Sequence, residues 1–167
     1  MDLFDGIYTR RSVRQFTDES LARDELIEII KAGTWAPSGL NNQPWRFVII
    51  NDRDTLERLA KLTKYQKIIR DAPSCIAVFV DKDVMYNQVK DHQAMGACIQ
   101  NMLLAAHALG LGAVWLGEIL NKADKVSSLL ELPGNLDLMA VVAIGHPTPI
   151  ERRSRRKEIS DVIIKEI

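Results

Sequence analysis

The sequence predicts a single α+β domain in which helices pack around a sheet, and three observations carry that prediction. Segments with apolar residues at helical spacing mix with short apolar runs, without the regular strand–helix alternation of a doubly wound sheet. The run Ile76 to Val80 is apolar at every position, the pattern of a strand covered on both faces. The chain has 167 residues, 47% of them apolar and 26% charged, enough to bury a core without disulfides or a structural metal.

The elements follow in order. Asp2 to Thr9 sets Leu3, Phe4 and Ile7 on one helical face, and Leu21 to Ala36 repeats the pattern with Leu26, Ile27, Ile30 and the small Gly33. Pro37-Ser38-Gly39 ends that helix, and Asn41-Asn42-Gln43-Pro44 prolongs an irregular polar loop of about eight residues. Arg46 to Ile50 reads as a strand, and Thr55 to Leu62 as a helix with Leu56, Leu59 and Leu62 inward. After the strand Ile76 to Val80, Asp91 to Leu109 is a long helix closed by Gly110-Leu111-Gly112, where glycine supplies a left-handed terminus. Ala113 to Leu116 is a strand, Ala123 to Leu130 a helix stopped by Pro133-Gly134, and Leu138 to Gly145 the last apolar strand. The carboxyl terminus is polar and then weakly strand-like. No repeat or linker divides the chain, so one domain spans residues 1–167.

Composition excludes several functions. Lys plus Arg and Asp plus Glu number 22 each, a formal net charge of zero, which argues against a nucleic-acid coat or polyanion binder. The most apolar stretch, Ala94 to Leu109, has 16 residues and is interrupted by Gly96, Gln100, Asn101 and His107, short of the ~20 a membrane span needs. Cys75 and Cys98 lack CxxC spacing and no signal-like region precedes the first helix, so a reduced, cytoplasmic protein is expected. GxxxxGK[ST], GxSxG and HExxH motifs are absent, and the three histidines do not cluster with cysteines or paired acids, so no metal site is expected.

Two features point to ligand chemistry. Arg10-Arg11-Ser12-Val13-Arg14 and Arg152-Arg153-Ser154-Arg155-Arg156-Lys157 hold eight of the 22 basic residues in 11 positions. Guanidinium forks and serine hydroxyls match phosphate oxygens in geometry and charge; equally, each cluster alone reads as solvated charge beside acids such as Asp18, Glu19, Glu151 and Glu158. The second feature is Pro37 to Trp45, where two prolines bracket amides, a hydroxyl and an indole. Amides suit the carbonyl and imide edge of a heteroaromatic ring with Trp45 as an apolar wall; the alternative is an ordinary connection with Trp45 in the core.

With both in view, the chain resembles the FMN-dependent nitroreductase family over nearly its whole length. The resemblance continues through Asp71-Ala72-Pro73, Gln100-Asn101, Leu109-Gly110-Leu111-Gly112, Trp115-Leu116-Gly117 and Ala143-Ile144-Gly145-His146-Pro147. It implies one FMN-binding domain with a mostly antiparallel central sheet flanked by helices. It also implies an intertwined homodimer holding FMN at the subunit interface, reduced by NADH or NADPH. Carried across by position, Arg10, Arg11, Ser12 and Arg14 would hold the phosphate and ribityl end, with one or two of Arg153, Arg155 and Arg156. Pro37, Ser38, Gly39 and Asn41 would reach the flavin from the other subunit, Gln43 beside them. Gly117 and Glu118 would set backbone groups near the flavin N5 edge, and Lys67 would approach the N1 and C2 carbonyl side. The resemblance assigns no catalytic side chain and no metal, because the cofactor performs the redox step.

The implied activity is NAD(P)H oxidation with ping-pong reduction of nitroaromatic or quinone-type small molecules. The connection Asp81 to His92 is about a dozen residues, shorter than in larger relatives, which implies an open, shallow site. The alternatives are a flavin-binding or sensing module without NAD(P)H turnover, and a same-fold enzyme of flavin cleavage or reductive dehalogenation. Nucleic-acid binding through the arginine clusters lacks an aromatic platform.

Overall fold

A computed structural model describes all of residues 1–167. The helices are α1 (Leu3–Thr9), α2 (Arg23–Thr34), α3 (Arg53–Ala60), α4 (Gln66–Asp71), α5 (Gln88–Ala108) and α6 (Ala123–Leu129). The strands are β1 (Trp45–Ile50), β2 (Ser74–Asp81), β3 (Gly112–Leu116) and β4 (Leu136–Gly145). They form one sheet in the order β1-β2-β4-β3, every neighbouring pair antiparallel. Trp45 pairs with Val80, Ser74 with Ile144 and Gly112 with Gly145, with a register shift at Val78/Phe79.

The alternation of side chains along β2 divides the interior in two. Ile76, Val78 and Val80 face α2 and α5 and join Leu26, Ile29, Met95, Cys98 and Met102. Cys75, Ala77 and Phe79 face the other way, onto Leu56, Leu59, Ile69 and Val126 of α3, α4 and α6. The expected strand covered on both faces is therefore observed, and all eight residues of β2 are buried.

Local chemistry sets the helix ends. Asp2, Asp52 and Asn87 accept hydrogen bonds from Phe4, Thr55 and Lys90 backbone N–H groups, capping α1, α3 and α5. At the far end of α5, Gly110 takes φ 77°. Leu111 N–H then bonds Ala106 O at 2.8 Å and Gly110 N–H bonds His107 O at 3.1 Å, a Schellman closure.

The structure departs from the sequence expectations at four places. α4 was not expected, because six residues are too few to display helical periodicity. On α2 the buried residues are Leu26, Ile29 and Gly33, while Ile27 turns outward. The carboxyl-terminal segment forms no strand, only a turn at Ile159–Asp161, because it lies along no sheet edge and its apolar residues Ile159, Val162, Ile163 and Ile164 stay exposed. Finally, the apolar residues of α1 are uncovered: Leu3, Phe4 and Ile7 are 67%, 61% and 43% exposed, and only Gly6 is buried.

Candidate functional site

The extended segment after α1 is pinned at both of its ends. Val13 N–H bonds Ala113 O at 3.0 Å and Ser12 bridges Ala113, while Thr17 N–H bonds His146 O at 2.9 Å. Val13 and Phe16 are buried by this pairing, and the intervening polar side chains point away from the core. Gly112 is required here, because a Cβ would sit 2.6 Å from Val13 Cγ1.

This pinning brings the two arginine clusters together. Arg10, Arg11, Ser12 and Arg14 line a cleft of about 570 Å³ together with Arg153, Arg156 and Lys67 of α4. Gln15, Ile68, Ile150, Arg152 and Ser154 complete it and were not assigned from sequence. Arg152 clamps the chain after β4 by donating to Ile150 O at 2.9 Å and Thr148 O at 3.2 Å. Arg155 is not brought in; it lines a separate depression with Arg156, Lys157, Glu158 and Asp161, and of the two neighbours only Arg156 also reaches the cleft.

The cleft is cationic and unsatisfied. Lys67 pairs with Asp71 at 2.7 Å and Arg153 with Glu151 at 2.9 Å, but Arg10 Nε and Arg11 Nε are buried without an acceptor. Burial, then the charges of Arg156 and Arg11, hold the Arg10 guanidinium below its ordinary pKa. Such a cluster repels itself until an anion enters, and its donor set fits a phosphate.

Gly117 and Glu118 follow β3. Gly117 is exposed and a Cβ there would meet nothing, so its backbone lies open. Glu118 accepts from Thr63 Oγ1 at 2.5 Å and Lys64 N–H at 3.1 Å, bonds that hold its carboxyl below the ordinary range. Glu118 thereby fixes the turn from which α4 and Lys67 start.

Pro37, Ser38, Gly39, Asn41 and Gln43 do not meet the cleft within one chain; they pack beside the connection that follows β2. Leu40, Asn41 and Gln43 have φ of 54°, 55° and 47°, a conformation that asparagine tolerates but that costs Leu40 and Gln43 on the order of 1–2 kcal/mol each. Ser38 Oγ accepts from Gln43 N–H at 3.1 Å across the turn. Trp45 is buried among α2 and α5 residues, so of its two readings the core one holds. Also missed from sequence was Asp91, fully buried at the start of α5.

The nitroreductase family model matches residues 7–66 and 61–146. The chain belongs to the nitroreductase family. A protein from Desulfovibrio desulfuricans provisionally named a nitroreductase, solved in complex with FMN, is 47% identical over 100% of this chain and 98% of its own, with a TM-score of 0.95. An Archaeoglobus fulgidus relative provisionally named an NADH dehydrogenase/NAD(P)H nitroreductase is 34% identical over 84% of this chain and 83% of its own. An iodotyrosine deiodinase from Thermotoga neapolitana is 28% identical, covering 94% and 95%. The nitroreductase fold here keeps the four-stranded antiparallel sheet between two helical layers, and no helix is long and apolar enough to cross a membrane.

Proposed function

We propose that this nitroreductase-family chain is an FMN-dependent NAD(P)H oxidoreductase acting as a homodimer. The observation that carries the reading is the cationic cleft, in which two buried guanidinium Nε atoms lack acceptors. FMN supplies hydride chemistry at N5, accepting from NADH or NADPH and passing electrons to a small acceptor. Arg10, Arg11, Ser12 and Arg14, with Arg153 and Arg156, bind its phosphate end. Lys67, set by Glu118 through the Thr63–Lys64 turn, carries positive charge toward the ring's electron-rich side. The open backbone at Gly117 admits the ring edge without a side-chain clash.

The uncovered apolar face of α1 supports the homodimer, as do Trp35 and Leu40 at 81% and 87% exposed. In the dimer, the loop Pro37 to Pro44 serves the partner's flavin. The short connection after β2 leaves the acceptor side open, which suits flat nitroaromatic or quinone-type acceptors. The test is the visible spectrum of the purified protein, with chromatography of the released chromophore, before and after anaerobic NADH or NADPH. Bound FMN that bleaches and is reoxidised by a nitroaromatic or quinone supports the reading. FMN that does not bleach moves the assignment to a flavin-binding module, reoxidation by a halogenated phenol alone moves it to dehalogenation, and no flavin after reconstitution overturns it.

A further inference from the structure

The loop Pro37 to Pro44 carries three non-glycine residues at positive φ, a conformation that persists only when the surroundings over-determine it. Part of the restraint is internal, from Ser38 Oγ to Gln43 N–H and from Arg46 Nη1 to Gln43 O at 3.2 Å. From outside the loop, Asp81 N–H bonds Pro44 O at 2.7 Å, and the side-chain restraint runs through Asn42. Asn42 Nδ2 donates to Val84 O at 3.1 Å and to Asp91 Oδ1 at 2.6 Å. The other oxygen of Asp91, Oδ2, accepts from Tyr86 N–H at 3.0 Å and Asn87 N–H at 2.9 Å. Because both partners of the Asn42 amide nitrogen are acceptors, the amide cannot turn over, and its own Oδ1 is left buried without a donor. The Tyr86 ring lies directly against Gly39, where a Cβ would overlap it.

We infer that Asp91 is a positioning residue that couples the loop Pro37 to Pro44 to the connection Lys82 to Asn87, so that both present one rigid wall to the flavin site. The inference rests on the reading that this loop serves the partner's flavin. Asp91 stands at the start of α5, whose positive dipole end favours a carboxylate. Burial pushes the carboxyl up, but the bonds from Asn87, Asn42 and Tyr86, with His92 nearby, outweigh it and hold the group below the ordinary range. The carboxylate thus stays ionised across neutral pH and accepts from both segments at once. The loop's strain is held by a group on α5, outside the loop itself.

The division of labour between the two oxygens makes Asp91→Asn a discriminating variant. Its single carbonyl oxygen still accepts from Tyr86 and Asn87 N–H, preserving the helix start, while its new NH2 faces the Asn42 NH2 donor to donor. The two amides can pair only if Asn42 turns over and gives up Val84 O, so the link between segments is weakened while the local cap is kept. Hydrogen exchange of the apoprotein is expected to speed up at residues 38–43 in Asp91→Asn and Asn42→Ala alike, with Asp91→Asn/Asn42→Ala no faster than either single variant. In the loaded protein, FMN and riboflavin affinity are expected to fall together by roughly tenfold, the loss of one hydrogen bond to a charged group. The visible flavin band is expected to shift, because this loop meets the ring and not the phosphate. Unchanged exchange at 38–43 in Asp91→Asn, or additive effects in the double variant, overturns the coupling. An unchanged flavin band and affinity overturns the ligand role, and wild-type protein that takes up no FMN overturns the cofactor reading while exchange still decides the coupling.

Discussion

Replacing Arg10 and Ser12 together by alanine tests the anion cleft directly. The one side-chain bond made at Arg10 ends on its backbone carbonyl, which alanine keeps, so the fold loses little. Arg10 is disfavoured by burial and by its neighbours Arg156 and Arg11. Its removal relieves repulsion, and the apoprotein variant is expected to melt at or above the wild-type temperature. With phosphate in the cleft the sign reverses. A charge-assisted hydrogen bond contributes about 1.5–3 kcal/mol, and the openness of the cleft to solvent favours the lower part, about 2 kcal/mol. The Ser12 hydroxyl adds about 1 kcal/mol, for a total of about 3 kcal/mol, or a fall in FMN affinity of about 150-fold. Fluorescence titration of the apoprotein with FMN and with riboflavin, at two salt concentrations, measures this. The FMN loss should far exceed the riboflavin loss and shrink at high salt. Equal losses for the two flavins, or an unchanged FMN affinity, would refute the assignment of this cleft to phosphate.

Three further outcomes follow from the same geometry. Gly112→Ala drives a Cβ into the stiff Val13 side chain and should cost about 1–3 kcal/mol by denaturant melt while weakening FMN binding, because Val13 adjoins Ser12; a stable variant with unchanged binding contradicts the packing account. Phe4→Asp puts a charge on the apolar face of α1, where Phe4 stacks with Tyr8 at 6.0 Å. Sedimentation should show monomers that have lost flavin, whereas an intact flavin-bound dimer would move the interface elsewhere. The Glu118 carboxyl is held low by Thr63 and Lys64, so its stabilisation is full above its unfolded pKa of roughly 4.3 and is lost as pH falls through the lower folded value. Thermal melts of Glu118→Gln should therefore lie below wild type at pH 7 and converge with it in strong acid; a gap that persists or widens in acid would show that Glu118 acts otherwise.

Much of the fold was legible because its signals are local. Apolar runs identified β2 and β4, the spacing of Leu56 and Leu59 identified α3, and Gly110 identified the end of α5, each set by backbone conformation or by one buried face. The arginine clusters were visible for the same reason, as charge concentrated in short stretches of a neutral chain. α4 escaped because one turn and a half of helix has no measurable period. Asp91 escaped because an acid near an apolar helix reads as an exposed cap until its partners from two other segments are known.

The sequence by itself determined most of the element types and concentrated the arginine side chains in two short stretches. Tertiary structure decided which of those side chains meet. Arg10 and Arg156 share a cleft because backbone pairing carries residues 12–17 onto Ala113 and His146, and no local pattern records that pairing. The same holds for the exclusion of Arg155, the core placement of Trp45 and the outward apolar face of α1. Periodicity says that a face is apolar, but what covers it depends on which surfaces the rest of the chain has already used.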